Sequence, residues 1–93
     1  MPINKAAYIR YKEINRCLRS SRNYTWEMIR KAVSDKLQIS HPTINNISLR
    51  TIKYDVEFLH KEYNIILNKE LFNKRPAILK YEDTNFSYSV KES

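Results

Sequence analysis

The sequence predicts a mainly α fold closed by a small β-hairpin, and three observations carry that prediction. Apolar residues recur at helical spacing in three separate stretches. Polar caps stand ahead of the second and third stretches, and two short β-prone runs follow the third. A chain of 93 residues with 42% hydrophobic side chains is one domain with one modest core, too apolar for disorder along most of its length.

In the first stretch, from Lys5 to Arg19, Ala7, Tyr11, Ile14 and Leu18 form the apolar stripe, with Lys5, Lys12, Arg16 and Arg19 opposite. Cys17 sits beside the stripe and reads as a small buried hydrophobe, because no paired base accompanies it. Residues Ser20 to Tyr24 are a polar break, after which Thr25 caps a second helix whose inner face is Trp26, Ile29, Val33 and Leu37. Trp26 serves there as a core anchor or an edge plug.

The segment from Gln38 to Ile47, with Pro42, Asn45 and Asn46, reads as a connection. The chain has no glycine, so any tight turn with positive φ falls to asparagine or to a wider loop. Ser48 caps the third helix, where Leu49, Ile52, Val56, Leu59 and Tyr63 make the stripe. Arg50, Thr51, Lys53 and Tyr54 face outward, with Glu57 and Lys61 on the same side. An exposed helix start of Ser, Arg, Thr, Lys and Tyr suits contact with phosphates and base edges.

The runs IIL at 65–67 and AILKY at 77–81 are expected to pair as a hairpin. Lys69, Lys74 and Arg75 would ride on its loop, as ordinary surface charge or as a wing that touches DNA. The closing EDTNFSYSVKES has no periodic pattern, although Phe86 and Tyr88 are placed to tuck against the core. The expected core is Ile14, Leu18, Ile29, Val33, Ile52, Val56 and Leu59. Three helices plus a wing make a winged helix-turn-helix.

Composition narrows function. The net charge of +7 favours an anionic partner, because clustered Lys and Arg neutralise phosphates and release counterions. Residues 1–31 carry eight Lys or Arg against two acids, so the basicity is front-loaded. No apolar run approaches the roughly 18 residues needed to span a bilayer, and the opening MPINKAAYIRYK is too charged for a secretory signal; a cytoplasmic location is expected. One cysteine permits no internal disulfide, and neither it nor His41 and His60 have metal-ligand spacing, so no metal or cofactor is expected. No Gly-rich phosphate loop, carboxylate cluster or supported Cys/His pair is present, which argues against an enzyme.

The stretches PINKAAYIRYKEINRCL, TWEMIRKAVSDKL and SLRTIKYDVEFL, followed by YEDTNFSYSV, resemble the N-terminal winged helix-turn-helix of WYL-domain transcription regulators of the Bacteroidetes type. The resemblance implies sequence-specific double-stranded DNA binding in a bacterial regulator. It maps Ser48, Arg50, Thr51, Lys53 and Tyr54 to the DNA-facing start of the recognition helix. Relatives often carry Arg where this chain has Tyr54. It also implies a DNA-binding domain over 1–85 and, over 86–93, the start of a linker toward a C-terminal regulatory domain. The isolated module is then expected to be a monomer or weak dimer, and the full regulator a homo-oligomer. The alternative is a winged helix for protein–protein contact, with Tyr54 and Phe58 as an aromatic interface. RNA binding lacks the aromatic sheet motifs of the common modules.

Overall fold

The computed structural model describes residues 5–43, 47–83 and 85–86. Its elements in chain order are α1 (Lys5–Arg19), β1 (Tyr24–Thr25), α2 (Trp26–Ser40), α3 (Leu49–Tyr63), α4 (Lys69–Phe72) and β2 (Ile78–Leu79). Helices α1, α2 and α3 pack on one another, and the short strands close one side. The arrangement is a winged helix-turn-helix, the fold that the family resemblance implies.

Helices α2, α3 and α4 each start where a polar side chain satisfies an orphan backbone donor. The Thr25 hydroxyl accepts from the Met28 N–H at 3.3 Å, and Ser48 Oγ accepts from the Thr51 N–H at 3.2 Å. Asn68 does the same for Leu71 at 3.1 Å. Helix α2 runs three residues into the expected connection, because the His41 N–H still reaches the Leu37 carbonyl at 2.6 Å. Pro42 then ends it: a residue before proline is driven out of the helical region, and His41 lies at φ −133°, ψ 73°. Asn45 and Asn46 of that connection lie outside the described residues. Helix α3 ends on Asn64, left-handed at φ 54°, where asparagine takes the place glycine commonly fills.

All seven expected core residues are buried, together with Tyr11, Cys17, Tyr24, Ile65, Leu79 and Tyr81. Burial pushes the Cys17 thiol up to about 12, and the neighbouring Glu13 carboxylate adds to the shift. Trp26 is half-buried, with its ring edge-on to Phe72 at 6.2 Å.

The β-structure departs from the expected hairpin in two ways. Residues 78–79 pair antiparallel with β1, in the register Tyr24↔Leu79 and Thr25↔Ile78, so the polar break after α1 supplies a strand. The two late β-prone runs meet only at the Leu67↔Tyr81 bridge, flanked by Asn68 N–H to Lys80 C=O at 2.8 Å and Glu82 N–H to Ile66 C=O at 2.9 Å. The expected loop also folds: Lys69 lies in α4 rather than on a loop tip, because Asn68 caps that turn. Lys74 and Arg75 follow α4 and are exposed. Phe86 packs edge-on to Tyr81 at 4.9 Å, as expected, and Tyr88 lies outside the described residues.

Two measurements check this core. Ile52→Ala, at a fully buried site, is expected to cost about 3 kcal/mol in urea unfolding; a loss under half a kcal/mol would place Ile52 at the surface. Native Cys17 is expected to resist alkylation at pH 8, where an ordinary thiol is partly thiolate, and to react once the chain is unfolded.

Candidate nucleic-acid interface

The outer face of α3 is fixed by what happens on its inner face. Ile52, Asp55, Val56 and Leu59 are buried, so Arg50, Lys53 and Tyr54, which project the other way, are exposed. Asp55 lies three residues after Ile52 and four before Leu59, and is therefore an acid on the apolar stripe. Its partner is Arg10 of α1: Nε donates to Oδ2 at 2.7 Å and Nη2 to Oδ1 at 3.2 Å, with side-chain exposures of 19% for Arg10 and 6% for Asp55. Burial pushes the Asp55 carboxyl above the usual carboxylate range, and the Arg10 guanidinium opposes that shift. A planar fork on a carboxylate defines both distance and orientation, so this pair fixes how α3 is rotated against α1.

A second attachment fixes where α3 begins. The buried Ser34 hydroxyl accepts from the Ile47 N–H at 3.0 Å, and Arg30 donates to the Ile47 carbonyl at 3.4 Å while it is ion-paired with Glu27. Ile47 immediately precedes the Ser48 cap, so α2 holds the entry of α3 through backbone contacts. None of Arg10, Ser34, Arg30 and Asp55 stands among the expected site residues. A signal existed for Asp55, whose place on the apolar stripe is visible in the sequence; the two contacts to Ile47 have no sequence signature.

The expected site residues of α3 come together on its first two turns. Ser48 Oγ lies 3.0 Å from Thr51 Oγ1 as well as capping the helix. Arg50 donates from Nε and Nη2 to the Tyr54 hydroxyl at 3.2 and 2.9 Å, and its guanidinium carbon lies 5.3 Å from the Tyr54 ring centre. Lys53 Nζ lies 5.6 Å from the ring centre of Trp26. Both exposed cations thus rest on aromatic faces, which attract positive charge and limit the rotamers to be frozen on binding.

On the wing side, a groove of about 770 Å³ has Lys53 and Glu57 of α3 in one wall and Lys69 and Asn73 in the other, with Val56 and Ile65 among its apolar lining. It joins Lys69 to the α3 surface. Lys74 and Arg75 come directly after Asn73 and are exposed, beyond the groove.

The first helix is less free than its composition implies. Arg16 faces outward, as expected, but its guanidinium grips the buried Glu13, Nε to Oε1 at 2.9 Å, which raises the arginine further above its ordinary value. Lys5, Lys12 and Arg19 are exposed as well. Phe58 is half-buried and stacks on Tyr11 at 5.1 Å, so it does not join Tyr54 in an exposed aromatic surface. Among the described residues, no group of three or more His, Cys, Asp or Glu is arranged to hold a metal ion, and no helix is long and apolar enough to cross a membrane.

Residues 6–70 match the family model for the N-terminal winged helix domain of WYL domain-containing proteins. No curated protein and no solved structure matches the chain.

The ion pair yields a direct test. Asp55→Ala leaves Arg10 half-enclosed without its carboxylate and is expected to cost about 3 kcal/mol. Replacing both partners by apolar residues, Arg10→Met with Asp55→Leu, is expected to recover most of that loss. Equal stability of Asp55→Ala and wild type would show that the pair does not hold α3.

Proposed function

Since the chain belongs to the N-terminal winged helix domain family of WYL domain-containing proteins, we propose that it binds double-stranded DNA sequence-specifically, as the N-terminal module of a bacterial transcription regulator. The observation that carries this reading is the outer start of α3. A capped helix presents Arg50 and Lys53, each braced on an aromatic ring, while its other side is anchored in the core. A helix of this kind fits the major groove with its N-terminal residues toward base edges.

The roles follow from chemistry. Arg50 reads a guanine, because a guanidinium bridges O6 and N7 in one plane. Ser48 and Thr51 lie at the cap, near a phosphate, and Lys53 supplies charge beside the groove that Lys69 also lines. Lys74 and Arg75, with exposed Lys5, Lys12 and Arg19, hold flanking phosphates. Tyr54 shares the surface. In this reading residues 1–85 form the DNA-binding domain, and 86–93 begin a linker toward a regulatory domain. The module is cytoplasmic, carries no catalytic residues or cofactor, and by itself is a monomer or weak dimer that gains affinity from pairing on half-sites.

The protein-contact reading draws support from the apolar rim of the groove, where Ile66 is 56% exposed and Phe72 is 38% exposed. Ionic strength separates the two, since phosphate binding weakens steeply with salt and an apolar interface does not.

The experiment compares two variants that keep the wild-type melting temperature. Arg50→Ala is expected to weaken binding to a selected duplex by about 1 to 3 kcal/mol and to relax preference at one base pair, with a smaller effect on random DNA. Neutralising Lys74 and Arg75 is expected to weaken selected and random duplexes alike and to flatten the salt dependence by about one unit per lost phosphate contact. Intact selected binding by Arg50→Ala at low salt would overturn the assignment of α3 and favour protein contact.

A further inference from the structure

Arg50 and Tyr54 are one turn apart on α3, both exposed, and joined by two hydrogen bonds to one oxygen. The donors used are the Nε–H and one N–H of Nη2, the side edge of the guanidinium. That leaves the end edge, with one N–H each from Nη1 and Nη2, directed away from the tyrosine. A guanidinium has five N–H donors in a rigid fork, so occupying the side edge selects which pair remains for a ligand. The Tyr54 hydroxyl, accepting twice, still has its own hydrogen to donate. The ring lies alongside the guanidinium, with its centre 5.3 Å from Cζ, which limits the arginine to a narrow set of rotamers.

We propose that Tyr54 is a positioning residue for base readout: it holds Arg50 by the side edge so that the end edge of the guanidinium meets the O6 and N7 of one guanine. The inference rests on the DNA-binding reading of α3 and assigns Tyr54 a role through Arg50, in place of a separate contact to base or phosphate. An unbraced arginine at an exposed helix start samples many rotamers and meets phosphates as readily as bases. Braced, it enters the groove with its donor pair already aligned, and less conformational freedom is lost on binding. The tyrosine thereby confers discrimination at one base pair without carrying a charge, so its removal spares the non-specific, charge-driven part of binding.

The test uses the whole 93-residue chain and a pool of random-sequence duplex DNA. Sequences are selected with wild type, Tyr54→Phe and Arg50→Ala at one fixed low salt concentration, with melting temperatures recorded for all three. Tyr54→Phe keeps the ring and removes only the accepting oxygen. The wild type is expected to enrich a guanine at one position, and 7-deazaguanine placed there, which lacks the N7 acceptor, is expected to weaken wild-type binding. Arg50→Ala is expected to lose that guanine. Tyr54→Phe is expected to lower the preference for it by roughly tenfold, the low end of what one hydrogen bond to a charged group is worth, while binding to mismatched duplex stays within about twofold of wild type. If Arg50→Ala loses the guanine and Tyr54→Phe keeps it in full, the positioning role is overturned and the DNA-binding reading stands. A Tyr54→Phe loss spread equally over matched and mismatched duplexes also overturns it, since that is the behaviour of a phosphate contact. Failure of the wild type to enrich any sequence overturns the DNA-binding reading itself, and the positioning role with it.

Discussion

A carboxylate buried on the inner stripe of a helix must meet a cation or lose its charge, and in this domain that requirement orients the outer face of α3. Asp55 meets Arg10 through two parallel hydrogen bonds. Apolar packing alone tolerates some rotation of a helix about its axis, because Ile, Val and Leu contacts are not directional. A bidentate ion pair does not tolerate it. With Asp55 fixed toward α1, Arg50 and Tyr54 are fixed outward, and Ser48 is held at the entry by the Ser34 and Arg30 contacts to Ile47. Rotation and starting point of α3 are set by α1 and α2 respectively.

The same accounting redistributes the positive charge. Read as composition, the first third of the chain is its most basic part. In the fold, two of the arginines there serve internal carboxylates: Arg10 holds Asp55, and Arg16 holds Glu13. Lys80 is also committed, donating to the Ser21 carbonyl at 3.0 Å and to Asn23 Oδ1 at 3.3 Å, where it ties the end of the sheet to the turn after α1. The cations of α3 are treated differently. Arg50 and Lys53 lie on aromatic rings, which orient positive charge without neutralising it. Net charge points to an anionic partner, and the side-chain partners decide which cations remain to meet it.

The wing is short because its sequence splits its hydrogen-bonding loyalties. Ile65 is buried and Ile66 is exposed, the alternation of an extended segment, yet only Leu67 finds a partner across the turn, at Tyr81. Asn68 then starts a helical turn, and residues 78–79 reach back to Tyr24 and Thr25. The Tyr81 N–H donates to the Leu18 carbonyl at 3.2 Å, so the returning chain also closes the C-terminal end of α1. The last β-prone run therefore joins the beginning of the fold to its end, and the basic residues Lys74 and Arg75 lie between α4 and that return.

Period and capping chemistry are local properties, and for that reason the sequence by itself determined the three long helices, the Thr25 and Ser48 caps and the seven core positions. It also determined which side of α3 faces out, because an apolar stripe of Leu49, Ile52, Val56 and Leu59 leaves Arg50, Lys53 and Tyr54 on the other side. Only the tertiary structure decided that 24–25 is a strand, since a two-residue strand exists by virtue of its partner, and Tyr24 and Thr25 pair with Leu79 and Ile78 at the far end of the fold. It decided that Arg10 is turned inward onto Asp55 and that Phe58 stacks on Tyr11. Each of those outcomes is a choice of partner, and a charged or aromatic side chain chooses its partner among groups that only folding brings within reach.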